Sequence, residues 1–270
     1  MQDSERDLVG ELKTLLQDGE EAALQIFLQL IRPEDVAQWL DELTSEERQK
    51  ILGSLDVEAA GVVLDDTTAS IRAELVDDLE PEHLARIAET LPADEAADLI
   101  GELGVQATER VLHHLDDEDE LVLRDLLSYP EETAGGIMNP EVVALTADAT
   151  VDDAISYLRS AAEGVVTAAL YVVDDDRRLL GFVRLRRLVT ARSTSKLGDI
   201  MSEDVISVDV NADQEVVADQ VDRYDFIAIP VTDPNGSLLG AVTFDDILDV
   251  VENEATEDIY KMAGSSAEEE

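Results

Sequence analysis

"YPEETAGGIMNPE", residues 129–141, packs Tyr-Pro, Gly-Gly and Asn-Pro into thirteen residues of a chain that otherwise reads as acidic helix. Its Ile137-Met138 pair returns as Ile200-Met201, 63 positions on. Leu179-Leu180-Gly181 returns as Leu238-Leu239-Gly240, 59 positions on. A breaker-rich stretch followed by duplicated text marks a boundary, with one kind of architecture before it and a tandem repeat after it. The two glycines are expected to let the chain turn sharply into the first repeat.

Before the boundary, residues 1–128 read as helix throughout, with apolar residues three and four apart (Leu8, Leu12, Leu15, then Ile51, Leu55). "IRPEDVAQWL", "LTSEERQKIL", "LEPEHLARIA" and "LPADEAADLI" each set Pro or Ser at a helix entrance and acids in the first turn. Proline there loses no hydrogen bond, and carboxylates complement the helix dipole. The spacing predicts short paired helices stacked into a small superhelix, with Trp39 in its core.

After the boundary, "EVVAL" (141–145), "AALYVVD" (168–174) and "LLGFVRL" (179–185) are β-rich, and "VDDAISYLRSAA" (151–162) is an amphipathic helix. The order repeats as "DVISV" (204–208), "DQEVVADQVDRYD" (213–225), "FIAIPVTD" (226–233) and "LLGAVTF" (238–244). "DPNG" (233–236) is a hairpin turn. The unit is β-α-β-β-α, twice.

Composition narrows the function. The net charge is −45, from 64 acids against 19 bases, only four of them lysine. Such a chain repels phosphate, so neither nucleic acid nor a lipid surface is an expected partner. Dense carboxylates with scarce lysine fit a salt-adapted surface, and they also fit cation binding. There is no cysteine, no signal-like start and no run of about 20 apolar residues, so a cytoplasmic chain without thiol chemistry is expected. No nucleophile triad or phosphate loop points to an enzyme.

A tandem with Ile-Met entries and a closing "GAVTFDD" resembles a cystathionine-β-synthase-type (CBS) pair. That resemblance implies adenine nucleotide as one candidate ligand, with Gly240, Thr243 and Asp246 at its ribose–phosphate positions. In the first repeat Arg184 and Arg187 stand where the hydroxyl and carboxylate would be, and a guanidinium cannot accept from ribose. ATP or a free-standing nucleotide regulator is therefore the second reading.

The larger combination is an acidic helical domain, "YPEETAGGIMNPE", the CBS pair with "RYDFIAIPV", and "FDDILDVVENEATEDIYKMAG". It resembles the cytosolic half of MgtE-type magnesium channels over about residues 20–264. The resemblance implies an all-α domain at 1–128, CBS repeats at 129–196 and 197–246, a connecting helix at 247–264 and an acidic tail at 265–270. It implies several Mg2+ ions bridging these parts and closing a five-helix pore, carried in the same chain or by a partner. The implied ligands are Asp94 and Asp98 in the helical domain and the Gly135 carbonyl at the boundary. In the CBS pair they are Glu215, Asp225, Asp246 and a carbonyl near Asp222; on the connecting helix, Asp249, Glu254, Glu257 and Asp258. Val62 stands where the family has a further carboxylate.

The chemistry agrees in type. Mg2+ takes carboxylate and water oxygens in an octahedron. Asp94 and Asp98, four apart on a helix, repel unless a cation lies between them. The apolar face Ile247, Val250, Val251 predicts a homodimer through the CBS pair. Seven bases between Arg177 and Lys196 (with Arg178, Arg184, Arg186, Arg187 and Arg192) read as a surface facing an acidic neighbour. His113-His114 lacks a third ligand and reads as structural.

Overall fold

Proline and hydroxyl entrances set the helices of the first half. The computed structural model describes residues 2–77, 79–160 and 166–265, apart from the side chains of 2–7, 166–168, 252, 253 and 257–265. Its helices begin with α1 (Gln2–Asp18), α2 (Glu21–Leu28), α3 (Pro33–Trp39), α4 (Ser45–Leu52), α5 (Val57–Asp65) and α6 (Ala69–Asp77). They continue with α7 (Pro81–Ala88), α8 (Ala93–Gly101), α9 (Val105–Leu112) and α10 (Asp117–Leu126). Pro33 and Pro81 lie in the first turns of α3 and α7, whereas Pro92 takes the cap position of α8. Thr44 and Glu47 close a reciprocal capping box on α4, satisfying two donors that the helix leaves open.

Helix α3 packs on α5, α5 on α7 and α7 on α9, with α4 on α6, which is the stacking of a superhelix. Trp39, Ile51, Leu64, Leu75, Ile87 and Ile100 are buried along it. Arg48 donates to Glu74 at 2.8 Å and Arg72 to Glu102 at 2.7 Å, so guanidinium groups join elements 26 and 30 residues apart. Each also donates to backbone carbonyls, Leu40 for Arg48 and Asp65 for Arg72, binding the ends of helices as well as charges.

The chain divides into two compact units at Arg124/Asp125. In the second, β1 (Val142–Thr146), α11 (Val151–Ser160), β2 (Val166–Val173), β3 (Leu179–Val183) and α12 (Leu185–Thr190) form one repeat. After the short α13 (Leu197–Ile200) come β4 (Val208–Asp209), α14 (Gln214–Tyr224), β5 (Ala228–Thr232), β6 (Leu238–Thr243) and α15 (Phe244–Ser265). Each sheet holds three strands, a parallel pair followed by an antiparallel hairpin. Strand alternation divides the core. Leu170 and Val172 face the first repeat's own cluster with Val143, Val183 and Leu188. Tyr171 and Val173 face Leu238 and Ala241 of the second repeat.

The duplicated Ile-Met segments are exchanged between repeats. Asn139 pairs with Ala241 of β6 through two backbone bonds of 2.9 Å, and Ser202 pairs with Phe182 of β3 at 2.9 and 3.1 Å. Each crossing needs the duplicated glycine. A Cβ on Gly240 would lie 2.5 Å from the Asn139 carbonyl oxygen, and one on Gly181 2.4 Å from that of Ser202.

Two expectations are corrected here. The chain does turn at residues 134–136, where Gly135 and Gly136 permit close approach without left-handed angles. A Cβ at Gly136 would sit 2.5 Å from the Pro130 oxygen, and one at Gly135 2.7 Å from the Tyr129 ring and from Val210. "DVISV" is a strand only at Val208, where pairing with Val231 begins. The apolar face of the last helix also differs: Ile247 and Val250 are buried in their own unit, and the exposed stripe is Phe244, Leu248, Val251. That helix is continuous over 22 residues, so the connecting helix and the last helix of the second repeat are one element.

Candidate metal centre

Helix α15 is acidic from its first turn, with Asp245 and Asp246. The Thr243 N–H donates to Asp246 Oδ2 at 3.0 Å, one half of a capping box three residues wide. The Thr243 hydroxyl lies within bonding reach of both Asp246 Oδ2 and Asp245 Oδ1. It carries one proton and so serves one carboxylate at a time. Burial pushes the half-buried Asp246 carboxyl up. Thr243 pulls it down through its hydroxyl and N–H, and the charges of Asp245 and Asp249 push it up again. Asp249 lies one turn further on and is exposed.

Glu254 is half-buried, and its Oε1 accepts a hydrogen bond of 2.8 Å from Gln214 Nε2 at the start of α14. The exposed Glu215 follows directly, its N–H donating to the helix-capping Asp213 at 2.9 Å. At the other end of α14, Asp222 is exposed in the last turn. Asp225 ends that helix in the left-handed region at φ 52°, a conformation a short polar side chain tolerates. Gly135, between Tyr129 and Val210, donates its N–H to the Val210 carbonyl at 2.8 Å. In the helical unit, α8 buries Asp94 (7% exposed) and leaves Asp98 exposed. The side chains of Glu257 and Asp258 lie outside the described residues.

The structure therefore brings Asp245 and Asp246 onto Thr243, with the charge of Asp249 acting on Asp246, and ties Glu254 to Gln214 of α14. Among the described residues, no three carboxylate or histidine groups stand close enough together to hold a metal by themselves. The donor set is nonetheless all oxygen, carboxylate and carbonyl, which fits a hard cation that keeps several waters. Asp245 and Gln214 were not among the sequence candidates. Asp245 had a readable signal, being next to Asp246 on a capped first turn; Gln214 had none.

The nucleotide positions fare differently. In the second repeat Thr243 and Asp246 are engaged with each other. In the first, Arg184 lies 5.5 Å above the Phe182 ring, and Arg187 is exposed on α12. Lys196 pairs with Asp148. Arg177, Arg178, Arg184, Arg186, Arg187 and Arg192 are exposed and form no ion pair among the described residues. His113 lies 3.6 Å from Glu120 on the surface.

Comparison with known proteins places this arrangement. Family profiles match the MgtE intracellular N domain over residues 31–132 and the CBS domain over 134–194 and 197–253. The magnesium transporter MgtE of Thermus thermophilus is 39% identical over 262 residues, 96% of this chain and 58% of that protein. Its counterpart in Bacillus subtilis is 30% identical over 260 residues, again 96% and 58%. The chain thus spans somewhat over half the length of these curated relatives. The crystal structure of the soluble part of a magnesium transporter matches with a TM-score of 0.81 at 31% identity, over 93% of this chain and 99% of that one. The cytosolic domain of the Mg2+ channel MgtE in complex with ATP matches at 0.85 and 36%, over 90% and 99%. No helix among the described residues is long and apolar enough to cross a membrane. With its helical unit, exchanged CBS repeats and long acidic last helix, this chain belongs to the family of MgtE magnesium-transporter cytosolic domains.

Proposed function

We propose that the chain is the Mg2+-sensing regulatory part of an MgtE-type transporter, on the cytoplasmic side of a membrane pore. The observation that carries this is the Asp246 carboxylate, half-buried, pushed up by burial and by two neighbouring acids, on a chain that matches MgtE cytosolic structures over nine-tenths of its length. A carboxylate desolvated beside like charges favours a bound cation over a proton at neutral pH when the cation is abundant. Bound Mg2+ would supply positive charge and bridging coordination. Asp246, Asp249 and Glu254 would offer oxygens from one unit and Asp94 and Asp98 from the other, with Gly135, Glu215, Asp222 and Asp225 completing further sites. Glu257 and Asp258, later in the sequence of the same helix, are proposed as further ligands. Ion bridging would then hold an attached pore closed.

A second copy of the chain is the fitting partner of the CBS pair. Phe244, Leu248 and Val251 expose one apolar stripe, and Leu185 and Val189 expose another on α12.

The ATP complex of one relative supports nucleotide as the second reading. Against it stand Arg184 and Arg187 in the first repeat and the mutual engagement of Thr243 and Asp246 in the second. Calorimetry on one sample separates the two. Mg2+ binding that weakens at least about tenfold in Asp246→Asn, with ATP no tighter than about 100 μM, is the expected result. Low-micromolar ATP with no magnesium heat would reverse the reading.

A further inference from the structure

Gln214 makes two bonds that point in different directions along the chain. It is the first residue of α14, so its backbone N–H has no partner inside the helix. The carbonyl of Glu132 supplies that partner at 2.9 Å. Glu132 belongs to the segment leading out of the helical half. That segment is held further by the Ala134 N–H to Ala212 (2.7 Å) and the Gly135 N–H to Val210 (2.8 Å). The side chain of the same Gln214 donates to Glu254 at 2.8 Å, in a partly buried position on α15. The helices α14 and α15 also pack on one another. One residue thus joins the incoming segment 132–135 to the middle of the outgoing helix, across 122 residues of sequence between Glu132 and Glu254.

The chemistry of the pair is asymmetric. A neutral amide donates to a carboxylate, a charge-assisted bond stronger than one between neutral groups. It fixes Oε1, and among the described residues no other hydrogen bond or ion pair engages Glu254, so Gln214 orients it there and Oε2 is left for an electropositive partner.

We propose that Gln214 is a positioning residue that couples segment 132–135 to the last helix by holding Glu254. Its consequence for magnesium, that Glu254 is presented with one oxygen committed and one open, rests on the reading of Glu254 as a ligand; the coupling itself does not.

The test is amide hydrogen exchange on the full 270-residue chain in EDTA, so that no cation contributes. Gln214→Ala keeps the backbone N–H and removes only the tie. Exchange on α15 around Glu254 is expected to rise on the order of threefold, with a smaller rise at Ala134 and Gly135. Gln214→Glu, which sets like charges face to face, is expected to raise both further. Combining Gln214→Glu with Glu254→Gln reverses donor and acceptor and is expected to restore protection at both segments, which a mere packing defect would not do. Unchanged exchange in Gln214→Ala, a rise confined to α15, or failure of the reversed pair to restore protection would each overturn the proposal. Magnesium plays no part in this measurement, so its failure leaves the magnesium reading to the calorimetric test.

Discussion

Arg177 sits at φ 60°, in the hairpin between β2 and β3, 59 residues before Gly236, which takes φ 85° in the hairpin between β5 and β6. The repeats solve one turn with different residues. Their Asx bonds also correspond: Asp174 accepts from the N–H groups of Asp176 and Arg178, and Asp233 from those of Asn235 and Ser237. A left-handed side chain costs about 1–2 kcal/mol, and glycine's extra freedom in the unfolded chain returns part of that. We expect Arg177→Gly to stabilise the chain by up to about 1 kcal/mol, read as a raised urea midpoint with an unchanged slope. A lowered midpoint would show that the guanidinium matters more than the backbone. At Asp233 the Ser237 N–H, then the Asn235 amide, hold the carboxyl below the ordinary aspartate value. A depressed folded value means stabilisation that is full above the unfolded value of 3.8 and lost as pH falls through the folded one. Asp233→Asn should therefore narrow the difference in melting temperature between pH 7 and pH 3, relative to the parent chain. An equal difference in both would remove Asp233 from the acid response.

At the scale of elements, the exchanged segments decide the second unit, and their glycines are its narrowest points. An added methyl at Gly181 or Gly240 meets a carbonyl oxygen of the crossing segment rather than the end of a flexible side chain. Each of Gly181→Ala and Gly240→Ala should cost about 1–3 kcal/mol, the range for overpacking, in chemical denaturation. If both are neutral, the crossing segments yield more easily than this packing implies. The duplication was legible because spacings of 63 and 59 residues repeat whole phrases, and short helices were legible from Pro33, Ser45 and Pro81, although the cap of α4 is Thr44. The exchange was not, because nothing in "IMNP" or "IMSE" distinguishes pairing with its own repeat from pairing with the other. "DVISV" misled for a related reason: a run of β-branched residues reports a half-buried surface, not the number of backbone groups that find a strand to bond. Thr243 and Asp246 carried the three-residue spacing of a capping box, and that local meaning is the one their hydrogen bonds express. The remaining ligand candidates came from family likeness. One acid among 64 has no periodicity to mark it, and Gln214, a polar residue on a polar helix, is visible only through its bonds.

At the scale of the whole molecule, both units are strongly acidic, with 33 acids against 9 bases in residues 1–124 and 31 against 10 in residues 125–270. Two bodies of one sign repel when salt is low. In molar salt the screening length is about 3 Å, so diffuse attraction or repulsion no longer acts between them. Coordination by a shared cation, direct or through one water, is short enough to survive that screening. If Asp94 and Asp98 meet ions also held by Asp246, Asp249 and Glu254, millimolar magnesium should draw the units together even in about 2 M potassium chloride. The stretch open to protease should be 128–131, because residues 132–135 are already bonded to the second unit. We expect magnesium to lower the radius of gyration in small-angle scattering and to slow cleavage at 128–131. Asp94→Asn with Asp98→Asn should remove both effects, since amides keep the shape and lose the charge that holds the ion. Calcium and magnesium should differ, because only the smaller ion demands a tight octahedron and retains its waters. An unchanged radius in the parent chain would rule out bridging between the units, and an undiminished response in the double variant would remove Asp94 and Asp98 from it.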